Sequence, residues 1–218
     1  MDFVDPKNFI ITRKRKKYKF AKFHNAKNCF EFDQWSPRKV DVVEVGAGNG
    51  LFLVELARRH PEQVFVAVDV KGDRLQKGAY VALEQGIENI FFVRARADQI
   101  NELFAPNSLN AIWLTFSDPF PKKRSAGRRL THPHFLKTYA ELLQPDGSLI
   151  IKHDNPDFFN WSLEQLVAED WRLKELTFDL HESDLSDDYK ILTAYEQRWL
   201  GEGRVTHYVR AIPNKTAM

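Results

Sequence analysis

The sequence predicts an α/β fold: a mostly parallel, seven-stranded sheet with helices on both faces and an antiparallel pair at one edge. Three observations carry that reading. From residue 39 onward, short β-branched runs alternate with amphipathic segments, the pattern of parallel strands joined by right-handed helical crossovers. The first run ends in a glycine-rich turn, Glu44-Val-Gly-Ala-Gly-Asn-Gly50. The last two runs, Trp171–Leu180 and Arg204–Ile212, alternate apolar and polar residues and need no full helix between them, as antiparallel neighbours do.

Taken in order, Lys39–Val45 is the first strand. Leu51–Arg59 carries apolar residues at helical spacing, at Phe52, Leu53, Leu56 and Ala57. Val64–Val70 is a second strand, and Arg74–Gln85 a second helix stopped by Gly86. Asn89–Val93 and Leu109–Phe116 are the third and fourth strands, the latter ending at Ser117-Asp118-Pro119. A helix over Pro133–Leu143 runs into the turn signal Gln144-Pro145-Asp146-Gly147. Ser148–His153 is the fifth strand, and Phe158–Glu169 a further helix. Ligands of such sheets bind at the carboxyl ends of the strands. That rule singles out Gly46–Gly50, Asp69, Arg94–Asp98, Asp118 and His153–Asp154.

A chain of 218 residues suffices for one sizeable domain with extensions. Composition shifts once, near Pro37, so residues 1–36 read as a basic, partly flexible arm and 37–218 as the domain. The net charge of +2 names no partner by itself. A single cysteine, Cys29, excludes an internal disulfide framework and a multi-cysteine metal site, and reads as a buried thiol. The seven histidines fall in no metal-ligand spacing, so no metal is expected. No apolar run approaches membrane-spanning length, and the order of charge and apolar residues at the start is the reverse of a signal peptide. The expectation is a soluble, cytoplasmic protein that is not exported and touches no membrane. The arm's Arg13–Lys17, Lys19 and Lys22 are interleaved with Tyr18, Phe20 and Phe23. That mixture suits phosphate contact with base stacking as well as it suits a solvated tail.

The glycine loop lets backbone approach a ligand closely, yet such loops are common. Two acids sharpen it. Asp69 ends the next strand, where a carboxylate accepts hydrogen bonds from ribose hydroxyls. Glu44 precedes the first glycine by two residues. The dinucleotide pattern needs a third glycine at position 51, where this chain has Leu51. An acid at position 44 sits poorly beside pyrophosphate and well beside a cationic ligand, and S-adenosylmethionine carries a sulfonium, an ammonium and a ribose.

Phe116-Ser-Asp-Pro-Phe-Pro-Lys-Lys-Arg124 follows the fourth strand, with Ser-Ala-Gly-Arg-Arg129 after it. Pro119 and Pro121 stiffen this loop. Five cations crowd into Lys122–Arg129. Most charge runs are merely solvated faces; one beside a ligand edge suits a phosphate-rich substrate. On these residues, with His153-Asp154 and Thr193-Ala-Tyr-Glu196, the chain resembles the bacterial tRNA (guanine-N7)-methyltransferase family from roughly Val40 to Ile212. The resemblance implies a Rossmann-like class I methyltransferase fold, S-adenosyl-L-methionine as cofactor and tRNA as partner, in a monomer or homodimer. It places Glu44, Gly46, Gly48, Asp69, Arg96 and Asp118 at the cofactor, and Lys122, Asp154, Thr193, Tyr195 and Glu196 at the substrate. The family's Trp and first Pro are Phe120 and Ser117 here. Its Asn or Asp at the adenine edge is Arg96, which cannot accept a hydrogen bond. Either the Arg96-Ala97 backbone or Asp98 serves the adenine, or the cofactor site is impaired.

Guanine N7 has an in-plane lone pair and no proton to lose, so its methylation needs alignment rather than a base. A carboxylate beside the cationic product stabilises charge that develops in the transition state. Asp118 is the candidate catalytic residue for that role, or for gripping the N1/N2 edge, with Asp154 or Glu196 assisting. As a helix begins soon after Asp154, a capping role competes there. The alternatives are a methyltransferase of the same fold acting on a small molecule or protein, an RNA-binding relative without catalysis, and, behind these, a dinucleotide oxidoreductase.

Overall fold

The computed structural model describes residues 3–215 in two compact units, Met1–Leu103 and Phe104–Met218. The first unit carries strands β1 (Cys29–Glu31), β2 (Val42–Val45), β3 (Phe65–Asp69) and β4 (Ile90–Arg94), in the order β1-β4-β3-β2 and all parallel. Its helices are α1 (Lys14–Asn25), α2 (Leu51–Arg59), α3 (Gly72–Glu84) and the short α4 (Ile100–Leu103). All four residues of β2 are buried, as the β-branched run requires of a strand covered on both faces. The α2–β3 connection is closed by Asn89, whose amide donates to the carbonyls of Ala57, His60 and Gln63 at 2.9–3.0 Å. α3 ends where Gly86, at φ +68, turns the chain left-handed.

The second unit carries β5 (Leu109–Thr115), β6 (Leu143–His153), β7 (Trp171–Thr177) and β8 (His207–Pro213), in the order β5-β6-β8-β7. β5 and β6 are parallel; β8 runs antiparallel to both β6 and β7, so the last strand of the chain inserts between its two predecessors. Helices α5 (Pro133–Leu142) and α6 (Pro156–Ala168) follow β5 and β6, and α7 (Glu196–Trp199) precedes β8. Pro133 and Pro156 occupy the first helical positions, where the missing amide hydrogen is not needed.

Three features depart from the sequence reading. The described residues hold eight strands, one more than expected, because Cys29–Glu31 joins the edge at β4. Within the basic arm Lys14–Asn25 forms α1, a helix not read from the sequence, which buries Ala21 and Phe23. The Gln144–Gly147 turn lies inside β6: Leu109 pairs with Leu143 and Ala111 with Ser148, so the four residues bulge out between those pairs. Among the described residues no helix is long and apolar enough to cross a membrane.

Candidate active site

In the first unit the glycine loop spends its amide hydrogens internally. Gly46 and Ala47 donate to the Val68 carbonyl, Gly50 to Ala47, Gly48 to Asp69 Oδ2 at 2.8 Å and Leu51 to Asn49 Oδ1. Gly46, Gly48 and Gly50 all have positive φ, which a side chain would strain. A Cβ on Gly48 meets nothing within 4 Å, so the space over it is open. Phosphate cradles work by offering unused amide hydrogens; this loop offers carboxylates instead. Glu44 is 1% exposed at the end of β2. Asp69, at the end of β3, accepts from Gly48 and from the Lys71 amide, and burial nevertheless raises its pKa above the usual carboxylate value. Two acids around an open glycine turn fit a sulfonium-, ammonium- and ribose-bearing cofactor better than a pyrophosphate.

Arg96 begins the turn after β4. Its guanidinium is exposed and pairs with Asp98 at 2.8 Å, and its amide donates to the Gln99 side chain. Both groups named as adenine contacts, Arg96 and Asp98, thus engage each other. α1 lies in the same unit, and its Lys14, Arg15, Tyr18, Lys19 and Lys22 line a depression with Gln76. Lys22 also sits 5.0 Å from the centre of the Tyr80 ring.

In the second unit the segment after β5 is strained and pinned. Phe116 and Phe120 have φ of 49° and 39°, conformations that L side chains adopt only when surroundings impose them. Between them Asp118 is exposed. His153 fixes one end. Its Nδ1 accepts the Asn155 amide, so the proton lies on Nε2, which donates to the Ser117 carbonyl at 2.9 Å. Burial holds its pKa below the ordinary value. Arg129 fixes the other end, donating to the Pro119 and Phe120 carbonyls at 3.0 and 3.1 Å while lying 4.3 Å from the Trp161 ring. Lys122, Lys123, Arg124 and Arg128 are exposed, so four of the five cations face solvent and the fifth shapes the loop.

Three of the substrate candidates, Asp154, Tyr195 and Glu196, line one small concavity together with Phe116, Trp199 and Arg204. The capping role belongs to Asn155, whose Oδ1 accepts the Phe158 amide at 2.8 Å, and this leaves Asp154 for the concavity. Asp154 Oδ2 accepts from the Tyr195 hydroxyl at 3.0 Å and from Arg204 at 3.1 Å. Glu196 lies beneath and is 3% exposed. One oxygen takes Lys152 Nζ and the Thr193 amide; the other takes the Thr206 hydroxyl and the His181 ring. Lys152 is itself wholly buried. Thr193 and Glu196 therefore hold the segment that presents Tyr195. Lys122 is not among the residues lining this concavity.

Several residues that shape the site carried no sequence signal. Gly78 of α3 donates its amide to the Asn49 carbonyl, and a Cβ there falls 2.4 Å from that oxygen, so the glycine lets the helix seat the loop. Arg129 was hidden in a cationic run, and Lys152 in an apolar strand. Trp199 and Arg204 follow the recognisable block and match no motif. Cys29 is buried, and burial pushes its thiol well above the usual range.

Solved structures share this fold. The 16S rRNA methyltransferase KamB matches with a TM-score of 0.60 at 16% identity, covering 83% of this chain and 90% of that one. The 16S rRNA (adenine(1408)-N(1))-methyltransferase of Catenulisporales acidiphilia matches at 0.59 and 16% identity, covering 98% and 95%. The fold and its acid-flanked glycine loop define a class I, S-adenosylmethionine-dependent methyltransferase. The family model described as "Putative methyltransferase" matches residues 38–209. The tRNA (guanine-N(7)-)-methyltransferase of Brevibacillus brevis is 41% identical over 169 residues, 78% of each chain, and that of Bacteroides thetaiotaomicron is 39% identical over 170 residues, 78% of this chain and 67% of that one. The chain belongs to the tRNA (guanine-N(7)-)-methyltransferase family.

Proposed function

We propose that the protein transfers a methyl group from S-adenosyl-L-methionine to N7 of a guanosine in tRNA. The observation that carries this is the meeting of Asp154 and the Thr193–Glu196 segment at one aromatic-lined concavity, in a chain of this family. The bound cofactor supplies a methyl group made electrophilic by its sulfonium. Glu44 and Asp69 would hold its cationic and ribose parts beside Gly46 and Gly48, with the Arg96 turn as the candidate adenine contact. Asp118, on a loop held at both ends, stands beside the reacting base and stabilises the positive charge that N7 acquires. Asp154 accepts from the donor edge of the guanine, and Tyr195 orients that carboxylate. No side chain removes a proton, because N7 has none.

Lys122, Lys123, Arg124 and Arg128 and the basic face of α1 bind the phosphate backbone. Charge reversal at Lys14 and Lys19 accordingly lowers tRNA affinity and flattens its salt dependence. The enzyme works in the cytoplasm, away from membranes, as a monomer or homodimer. Transfer of labelled methyl to unmodified bulk tRNA, with nucleoside analysis, tests the function. Label in 7-methylguanosine supports it, and label elsewhere or none overturns it. Asp118→Asn lowers turnover sharply while tRNA affinity holds; near-normal turnover removes Asp118 from its role.

A further inference from the structure

Two residues lining the concavity, Asp154 and Trp199, have hydrogen-bonding capacity to spare. Asp154 is 10% exposed, and its Oδ2 is engaged by Tyr195 and Arg204. The nearest recorded group to its Oδ1 is His153 Nδ1 at 3.6 Å. That nitrogen already accepts the Asn155 amide, so it presents a lone pair and offers Oδ1 no hydrogen. The indole N–H of Trp199 is buried and has no acceptor among the described residues. A buried N–H of this kind ordinarily finds an acceptor, and Asp154 Oδ1 can still accept from a donor. The Arg204 guanidinium lies 4.2 Å from the Trp199 ring centre, is about half exposed, and has further N–H groups to give. Phe116 and Tyr195, with centroids 5.2 Å apart, and Trp199, 5.8 Å from Tyr195, supply flat apolar surface.

We propose that Trp199 and Arg204 complete a binding site for a 6-oxopurine base, supplying the hydrogen-bond donors that read its O6 while Asp154 Oδ1 accepts from N1–H and the 2-amino group. The argument rests on the function proposed above and adds the residues that choose the base. Guanine presents an acceptor at position 6 beside donors at N1 and N2. The concavity presents donors from Arg204 and Trp199 beside the acceptor Asp154. Adenine, with an amino group at position 6 and a bare N1, meets a donor with a donor and an acceptor with an acceptor. In the free protein Arg204 rests on Asp154, which keeps the carboxylate compensated. When the base enters, the guanidinium turns one N–H to O6 and retains its seat on the Trp199 ring. N7 lies on the far side of O6 from N1, away from these contacts.

The test is steady-state methyl transfer to unmodified tRNA by the full chain and by Arg204→Met, Arg204→Lys, Trp199→Phe and Asp154→Asn, with cofactor affinity measured calorimetrically for each. A charge-assisted hydrogen bond to a base edge predicts a loss of about tenfold to a hundredfold in kcat/KM for Arg204→Met, part of it restored by Arg204→Lys, with cofactor affinity unchanged. Trp199→Phe keeps the ring and loses the N–H, and falls by about tenfold. Combining Arg204→Met with Asp154→Asn separates reading the base from merely holding Asp154. A further loss in the Asp154→Asn background supports direct reading, and no further loss overturns it. Full activity in the parent chain with Arg204→Met and Trp199→Phe within about twofold of it sinks this inference alone. A parent chain that makes no 7-methylguanosine sinks the function beneath it.

Discussion

Glu196→Ala takes the counter-ion from a buried cation. The wholly buried Lys152 ammonium keeps the Ile191 carbonyl at 2.9 Å but loses the carboxylate at 3.1 Å. The Thr193 amide, the Thr206 hydroxyl and the His181 ring lose the same acceptor. Removing one partner of a buried ion pair costs about 3–5 kcal/mol, a large share of the roughly 5–15 kcal/mol that holds a domain together. At about 2–4 °C per kcal/mol for a chain of this size, the melting temperature falls by about 6–20 °C. Urea and thermal unfolding followed by circular dichroism read both quantities. Replacing the pair together, Lys152→Met with Glu196→Leu, leaves no buried charge and recovers much of the loss, since apolar substitutes for buried pairs are often neutral. A Glu196→Ala protein within about 1 kcal/mol of the parent refutes the reasoning. So does a double variant as unstable as the single one.

Arg129→Gln frees the Pro119 and Phe120 carbonyls and lowers kcat, yet leaves the salt dependence of tRNA binding unchanged; Arg124→Gln reduces that slope by roughly 0.9 for the phosphate contact it loses. A reduced slope in Arg129→Gln would instead place that side chain on the RNA. Gly78→Ala drives a Cβ to within 2.4 Å of the Asn49 carbonyl; calorimetry should find cofactor affinity down by about tenfold or more, on the order of 1.4 kcal/mol, with the fold intact. Burial holds the His153 pKa below the ordinary 6.5, so the unfolded chain takes up a proton at a higher pH than the folded one. Its contribution to stability is complete above about pH 6.5 and is lost as the pH falls from there through the folded value. Urea midpoints across that window should fall less steeply for His153→Gln than for the parent, and equal slopes would clear His153 of the effect.

The regular parts of the fold were legible because burial and periodicity coincide in them. Val42–Val45 and Phe65–Asp69 are β-branched runs that end at the ligand edge, and Gly46–Gly50 with Glu44 and Asp69 follows from them. β1 was not legible, since three residues give no alternation and its pairing is to distant β4. α1 was masked by charge: seven of its twelve residues are Lys, Arg or His, and only Ala21 and Phe23 are buried. The chemistry of the site was hard to read for a different reason. A sequence names a residue type without its orientation, so Arg129 was grouped with the solvent-facing cations although it turns inward. Glu196, read as a substrate contact, lines the concavity while its two oxygens also accept from Lys152 and Thr206.

α1 opens on Lys14, Arg15, Lys16 and Lys17, behind an Arg13 N-cap that makes no side-chain cap, and its first turn holds no acid. Cations at this end oppose the helix dipole, each by about 0.3–1 kcal/mol at low ionic strength, and neighbouring like charges add to it. The first turn of the isolated protein is thus braced against its own charge. Dissolved salt relaxes it by screening, and so does any polyanion laid across it. Ionic strength then pulls two properties apart: raising it firms this helix in the solitary enzyme and, by the same screening, would loosen the hold on RNA proposed for it.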